Sequence, residues 1–298
     1  MRFLRFLGRV VRRFIWEIMT DETLGLSAQM AYQFLLTLVP GLLFLWHLLS
    51  LFGTDPAKLH KMLAVVRAFL PPDPKVQEIL DVMVANVIVT PTNTALTTAG
   101  VFFGIYLGTL FISTISHALS RTHGVTEDRN RWSKYIISFL LLFWFGLTIL
   151  LAFNLVVFGE TLAGIAEVNF QLQIPLQSWV AALNLPFTAI ALVVFALALY
   201  LLTPENYLTI RQALPGAIFF SVGWMTMTKL FQFYVERYDR YNPTYLALAS
   251  IIMLLTWMYL TCLLLLLGGK LNAILRRESE RAAALKARPP GEASIQPA

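Results

Sequence analysis

Lys229 lies within a run of apolar residues long enough to cross a membrane, on a stripe with Ser221, Met225, Gln232 and Glu236. Steps of three and four put these side chains on one helical face. A cation beside hydrocarbon costs about 3 kcal/mol and is kept where it has a task, such as drawing in an anion. A second polar group, Gln29, Tyr32 and Gln33, precedes Pro40 in the first apolar stretch. Gln29 and Gln33 share a face, and buried amides avoid hydrocarbon, so both are expected to point inward. Pro40 removes a helix hydrogen bond, which predicts a kink. His117 ends the second stretch, and Lys270 and Asn272 close the last. Together Gln29, Tyr32, Gln33, Pro40, His117, Ser221, Lys229, Gln232, Glu236, Lys270 and Asn272 form a candidate substrate path. A plainer assignment stands beside each. Lys229 snorkels to an interface, the glutamines bond between helices, and His117 is a hydrogen-bonded interfacial residue rather than a proton carrier.

Catalytic chemistry finds little support. The sequence has no phosphate-cradling Gly-Lys-Ser/Thr loop, no His-Glu-x-x-His and no Gly-x-Ser-x-Gly. His47, His60, His117 and His123 are not grouped with carboxylates at ligand spacing. Cys262 is the only cysteine, so neither an intramolecular disulfide nor a thiolate cluster forms. The expectation is a protein without cofactor or metal and not an enzyme. A nuclease would need a carboxylate or histidine set to hold metal and activate water.

The elements that position these residues are helices. The chain is 57% hydrophobic and only 13% charged over 298 residues, against roughly 25% charged in soluble domains. The deficit runs along the whole chain, which indicates an all-α, polytopic membrane protein. Residues 3–19 place Arg5, Arg9, Arg12 and Arg13 opposite Phe3, Leu7, Val10, Phe14 and Ile18, as an interfacial helix on an anionic leaflet would. Six spans are expected at about 24–52, 95–119, 135–158, 179–202, 210–235 and 245–267. Residues 55–92, broken at Pro71-Pro72-Asp73-Pro74, read as two amphipathic helices capping the outside. Gly100, Gly104 and Gly108 recur every four residues and permit close helix contact. Residues 1–276 thus form a single membrane domain, with 277–298 expected to be a disordered cytoplasmic tail.

The net charge of +6 does not point to nucleic acid, because the basic residues flank membrane ends. The termini and the loops on their side carry sixteen Lys and Arg, against six in the loops opposite. This bias predicts cytoplasmic termini. No cleavable signal peptide is expected.

Three stretches are similar to the YihY/BrkB family of bacterial inner-membrane proteins: AQMAYQFLLTLVP at Ala28–Pro40, Ala213–Tyr234 with its Leu214-Pro215-Gly216-Ala217 opening, and Tyr241–Asn272 with Trp257, Tyr259 and a Gly-x-x-Leu-Asn ending. In order and spacing the match covers nearly all of residues 5–276. Two positions depart from the family pattern. Tyr245-Leu246 replaces the usual Tyr-Gly, and Gly268-Gly269-Lys270 replaces Gly-Ala-Glu, which puts in doubt any role carried over from that glutamate. The resemblance implies six spans with cytoplasmic termini. It also brings a ribonuclease BN label that these residues do not support, and associations with virulence, serum resistance and envelope-lipid transport.

The function expected is a transporter or flippase for an amphipathic, anionic envelope lipid or metabolite. The alternative is a non-transporting scaffold that recruits an envelope partner through the external cap. Membrane lipids are the expected partners, nucleic acid is not, and oligomeric state is not encoded legibly.

Overall fold

A computed structural model of the chain describes residues 12–14, 16, 22–50, 76–78, 81–82, 94–122, 132–133, 135–144, 146, 176–202, 208–237 and 246–287. Among these residues all regular structure is helical. Five long helices follow in order: α1 Thr23–Ser50, α2 Thr94–Thr122, α3 Leu176–Leu202, α4 Ile210–Arg237 and α5 Leu246–Ala287. A shorter apolar helix covers Tyr135–Trp144. Within α2 and α5, Thr98–Thr122 and Ile251–Arg281 are long and apolar enough to cross a membrane, with mean hydropathies of 1.7 and 2.3. Most of the expected external cap, the interfacial helix 3–19 and the span 135–158 lie outside the described residues. Residues 12–14 and 16 of the interfacial segment are helical.

α5 joins the other helices. It packs on α1, α2 and α4, while α1 lies along α2 and α3 along α4. Tyr200 ties α3 to it as well, its hydroxyl donating to the Leu265 carbonyl at 2.7 Å. Local chemistry starts and stops these helices. Gln212 caps the head of α4 by reaching back to Thr209. The Gln212 N–H donates to the Thr209 carbonyl at 2.9 Å, and the Thr209 N–H donates to Gln212 Oε1 at 3.1 Å. An aromatic cluster locks α4 to α5: Trp257 is fully buried, edge-on to Trp224 and Phe231 with centroids 5.7 and 5.0 Å apart. The opposite ridge of α4, Ile210, Leu214, Ile218 and Val222, is exposed.

Glycine sets the α1–α2 crossing. A Cβ on Gly104 would overlap the Pro40 carbonyl and press on Phe44, and one on Gly100 would meet Leu43 at 2.7 Å. The repeated small residues therefore serve contact within the chain at these two positions, and Gly108 faces Leu142. α1 continues as helix through Pro40. Its Thr37 hydroxyl donates to the Gln33 carbonyl at 2.8 Å, near the ladder bond that proline removes.

Two expectations are corrected. The inward face of α1 is Ser27, Met30 and Ala31, all buried; Gln29 and Tyr32 are exposed and Gln33 is half-buried. Gln29 therefore does not point inward, because the contact with α2 and α5 turns the helix by one position. The tail expected to be disordered from 277 is helical to Ala287, so α5 is 42 residues long, about 60 Å. Its extension, Arg276 to Ala287, is rich in Ala, Glu, Lys and Arg, all strong helix formers. Arg276 pairs with Glu280 four residues on at 2.8 Å.

Candidate functional site

Polar side chains converge at the end of the bundle where α1 begins, α4 begins and α5 leaves the apolar core. Lys270 is fully buried there, and its ammonium donates to Thr23 Oγ1 at 3.1 Å. Thr23 is held in turn, its carbonyl accepting the Ser27 hydroxyl at 2.8 Å. The residue before Lys270, Gly269, lies so close to α2 that a Cβ would meet Leu119 at 2.8 Å. Beside Thr23 on the chain, exposed Glu22 pairs with Arg121 of α2.

Asn272, also fully buried, clamps the first turns of α4. Pro215 removes a backbone donor there. The Gly216 N–H donates to Asn272 Oδ1 at 2.7 Å, and Asn272 Nδ2 donates to the Ala213 carbonyl at 3.0 Å. The close approach needs two glycines, since a Cβ on Gly216 would strike the Gly268 carbonyl, and one on Gly268 would strike the Tyr200 hydroxyl. One amide thus serves both a donor and an acceptor of a proline-interrupted turn, satisfying groups that would be costly to bury alone.

Beyond this junction lies a cleft of about 510 Å³ lined by Arg12, Arg13, Trp16, Glu278 and Arg281. It opens between the N-terminal segment and the extension of α5. Glu278 is nearly buried, its Oε1 3.4 Å from Nη1 of both Arg13 and Arg281. Phe14, beside Arg13, packs edge-on against Phe219 of α4, with centroids 6.0 Å apart. This contact sets the segment that carries Arg12 and Arg13 against α4, one residue along the chain from exposed Ile218. The lining is cationic on balance and suits an anion, with arginine forks matched to carboxylate or phosphate oxygens.

The structure separates the residues that spacing alone grouped. Lys270 and Asn272 meet the heads of α1 and α4. Ser221 is buried and its hydroxyl donates to the Ala189 carbonyl at 3.1 Å. Lys229, on the same stripe, is exposed, Gln232 is half-buried, and the Glu236 side chain lies outside the described residues. His117 is exposed, as are Gln29 and Tyr32, whereas Pro40 sits against Gly104. Sequence reasoning missed the pairing of Glu278 with Arg13 and Arg281. The basic face holding Arg12 and Arg13 was legible, but its partner fell in a segment assigned to a disordered tail. Among the described residues no three of His, Cys, Asp and Glu stand close enough to share a metal ion.

Comparison with known proteins matches residues 14–292 to the family model described as "Virulence factor BrkB". The chain belongs to the BrkB family. Among relatives of this BrkB-family chain, a Bacillus subtilis protein named "Putative ribonuclease-like protein YfkH" is 30% identical over 275 residues, covering 90% of this chain and 96% of its own. A UPF0761 membrane protein of Photobacterium profundum is 28% identical, covering 92% of this chain and 80% of its own. Another, from Aeromonas salmonicida, is 27% identical, covering 92% and 91%. No solved structure matches. BrkB-family membership and the apolar helices together make this a membrane protein.

Proposed function

We propose that the protein is a multi-pass inner-membrane transporter or flippase for an amphipathic, anionic envelope lipid or metabolite. In this reading it has six spans and both termini are cytoplasmic, as the bias of Lys and Arg favours. The observation that carries it is the arginine-lined cleft, whose N-terminal segment also reaches α4 through Phe14 and Phe219, the chain neighbour of Ile218 on the exposed apolar ridge. A ligand with an anionic head and an apolar tail meets complementary surfaces at adjacent places. The buried Lys270 and Asn272 then serve as the rigid joint that holds the helices around this entrance. The reading assigns no hydrolytic step, and the ribonuclease-like name belongs to the Bacillus relative.

Reconstitution into liposomes with a fluorescent acyl-labelled anionic phospholipid tests it. Dithionite quenches only the outer leaflet. Protein-containing vesicles are expected to lose more than half of the signal, while protein-free vesicles stop near half. Identical end points would sink the proposal.

A further inference from the structure

α4 packs on α3 and α5. Its remaining face carries Arg211, Leu214, Ile218, Val222, Thr226 and Lys229, at steps of three and four and all exposed. Between the two cations the only hydroxyl of this row, on Thr226, donates to the Val222 carbonyl at 2.8 Å. The row thus offers hydrocarbon no unsatisfied side-chain polar group. Arg211 and Lys229 stand 18 positions apart, about 27 Å along a helix axis. The hydrocarbon of a bilayer is about 30 Å thick, and both cations can reach outward along their stems. Contacts between helices put other ionic groups level with Arg211. Asn272 bonds the Ala213 carbonyl, Lys270 reaches Thr23, and the neighbouring Glu22 pairs with Arg121. Leaving that end, α1 to Ser50, α2 back to Thr94 and α5 back to Leu246 carry no Lys, Arg, Asp or Glu, and the first on α4 is Lys229.

We infer that this face of α4 is a lipid contact surface: acyl chains of both leaflets cover Leu214 to Thr226, and lipid phosphates meet Arg211 at one boundary and Lys229 at the other. Cations at both ends of an apolar row complement the anionic phosphates that flank acyl chains. A second copy of the chain fits less well. Two-fold packing on this face, about an axis along the membrane normal, sets Arg211 against Arg211 and Lys229 against Lys229. Close helix pairing in a membrane also favours small residues, and the glycines of α4, Gly216 and Gly223, face α5 instead. A water-filled path would be lined by polar groups, which Leu214, Ile218 and Val222 do not supply. The surface stands whether or not the protein moves lipid. It places the joint of Lys270 and Asn272 at a headgroup boundary, where a buried ammonium costs less than at the bilayer centre.

The test uses the full chain with Cys262→Ala, reconstituted in vesicles of phosphatidylethanolamine and phosphatidylglycerol. Nitroxide labels are placed one at a time through Arg211→Cys, Leu214→Cys, Ile218→Cys, Val222→Cys, Thr226→Cys and Lys229→Cys. Collisions with oxygen, which concentrates in hydrocarbon, are compared with collisions with a water-soluble nickel complex. The ratio of oxygen to nickel collisions is expected to peak at 218 and 222, at least about threefold above its values at 211 and 229, as a slab of hydrocarbon between those positions requires. Adding Lys229→Leu should raise the ratio at 226, because the boundary held by the ammonium moves outward. Nickel exceeding oxygen at 218 and 222 would mean water on this face and overturns the inference. Labels at 218 and 222 that are shielded from both reagents, or broadened by a second label nearby, would mean a protein neighbour and also overturn it. An unchanged ratio at 226 in the Lys229→Leu background overturns the assignment of Lys229 to the boundary. Should a label at one position disturb folding, the others on the row still locate the maximum, and a flat profile across them overturns the surface.

Discussion

The ammonium of Lys270 lies 3.1 Å from Thr23 Oγ1, a contact between residues 247 positions apart that ties the first turn of α1 to α5. A threonine hydroxyl both accepts and donates. Here it accepts from the ammonium. Thr23→Val is expected to destabilise the protein by about 1–3 kcal/mol, because a buried donor loses a partner. Adding Lys270→Met should recover most of that loss, since replacing a whole buried polar pair by apolar groups is often neutral. Thermal unfolding in detergent, followed by size-exclusion chromatography, measures both. A double variant no more stable than Thr23→Val would contradict the pairing.

Asn272 supplies a donor and an acceptor to α4, so its two bonds should be separable. Asn272→Asp keeps the acceptor for the Gly216 N–H and loses the donor to the Ala213 carbonyl. Asn272→Leu loses both and is expected to cost about 2–5 kcal/mol, more than the aspartate. The order of melting temperatures is the check: leucine at or above aspartate would mean the amide does not clamp this turn.

Two glycines in apolar helices should respond with opposite sign. Gly104→Ala forces a Cβ into the Pro40 carbonyl and is expected to cost at least about 1–3 kcal/mol. Gly25 in α1 has nothing within 4 Å of its would-be Cβ. Gly25→Ala should stabilise by about 0.5–1 kcal/mol through helix propensity and reduced chain entropy. Equal shifts in melting temperature would show that the α1–α2 contact is looser than described.

Lys229 is exposed on α4 while Ser221, two turns earlier on the same stripe, is buried. The exposed position is consistent with snorkelling. Lys229→Met is therefore expected to fold and to keep wild-type flipping in the dithionite assay. Loss of flipping with normal folding would return Lys229 to a substrate path and move that path to the outer face of α4.

Helix positions were legible because the signals are local. The helix expected at 24–52 is Thr23–Ser50, and that expected at 210–235 is Ile210–Arg237. The helical extension past Arg276 was lost to a compositional reading, although its propensities favoured helix and Glu278 awaited a partner at Arg13.

By itself the sequence determined the all-helical membrane character, the approximate ends of the long helices and the family. Apolar length, proline, glycine and capping residues act within a few positions of one another, so no knowledge of neighbours is needed. The tertiary structure alone decided which side of each helix turns inward. In a soluble helix water marks the outer face, but a helix between lipid and protein is apolar on both sides, and periodicity carries little direction. Gln29 was thus assigned inward and lies outward, while Lys270 and Asn272 became one joint only when α1 and α4 closed on α5. The arginine cleft arose in the same way, from Arg13 and Glu278 meeting across 265 positions, a distance over which sequence spacing has no force.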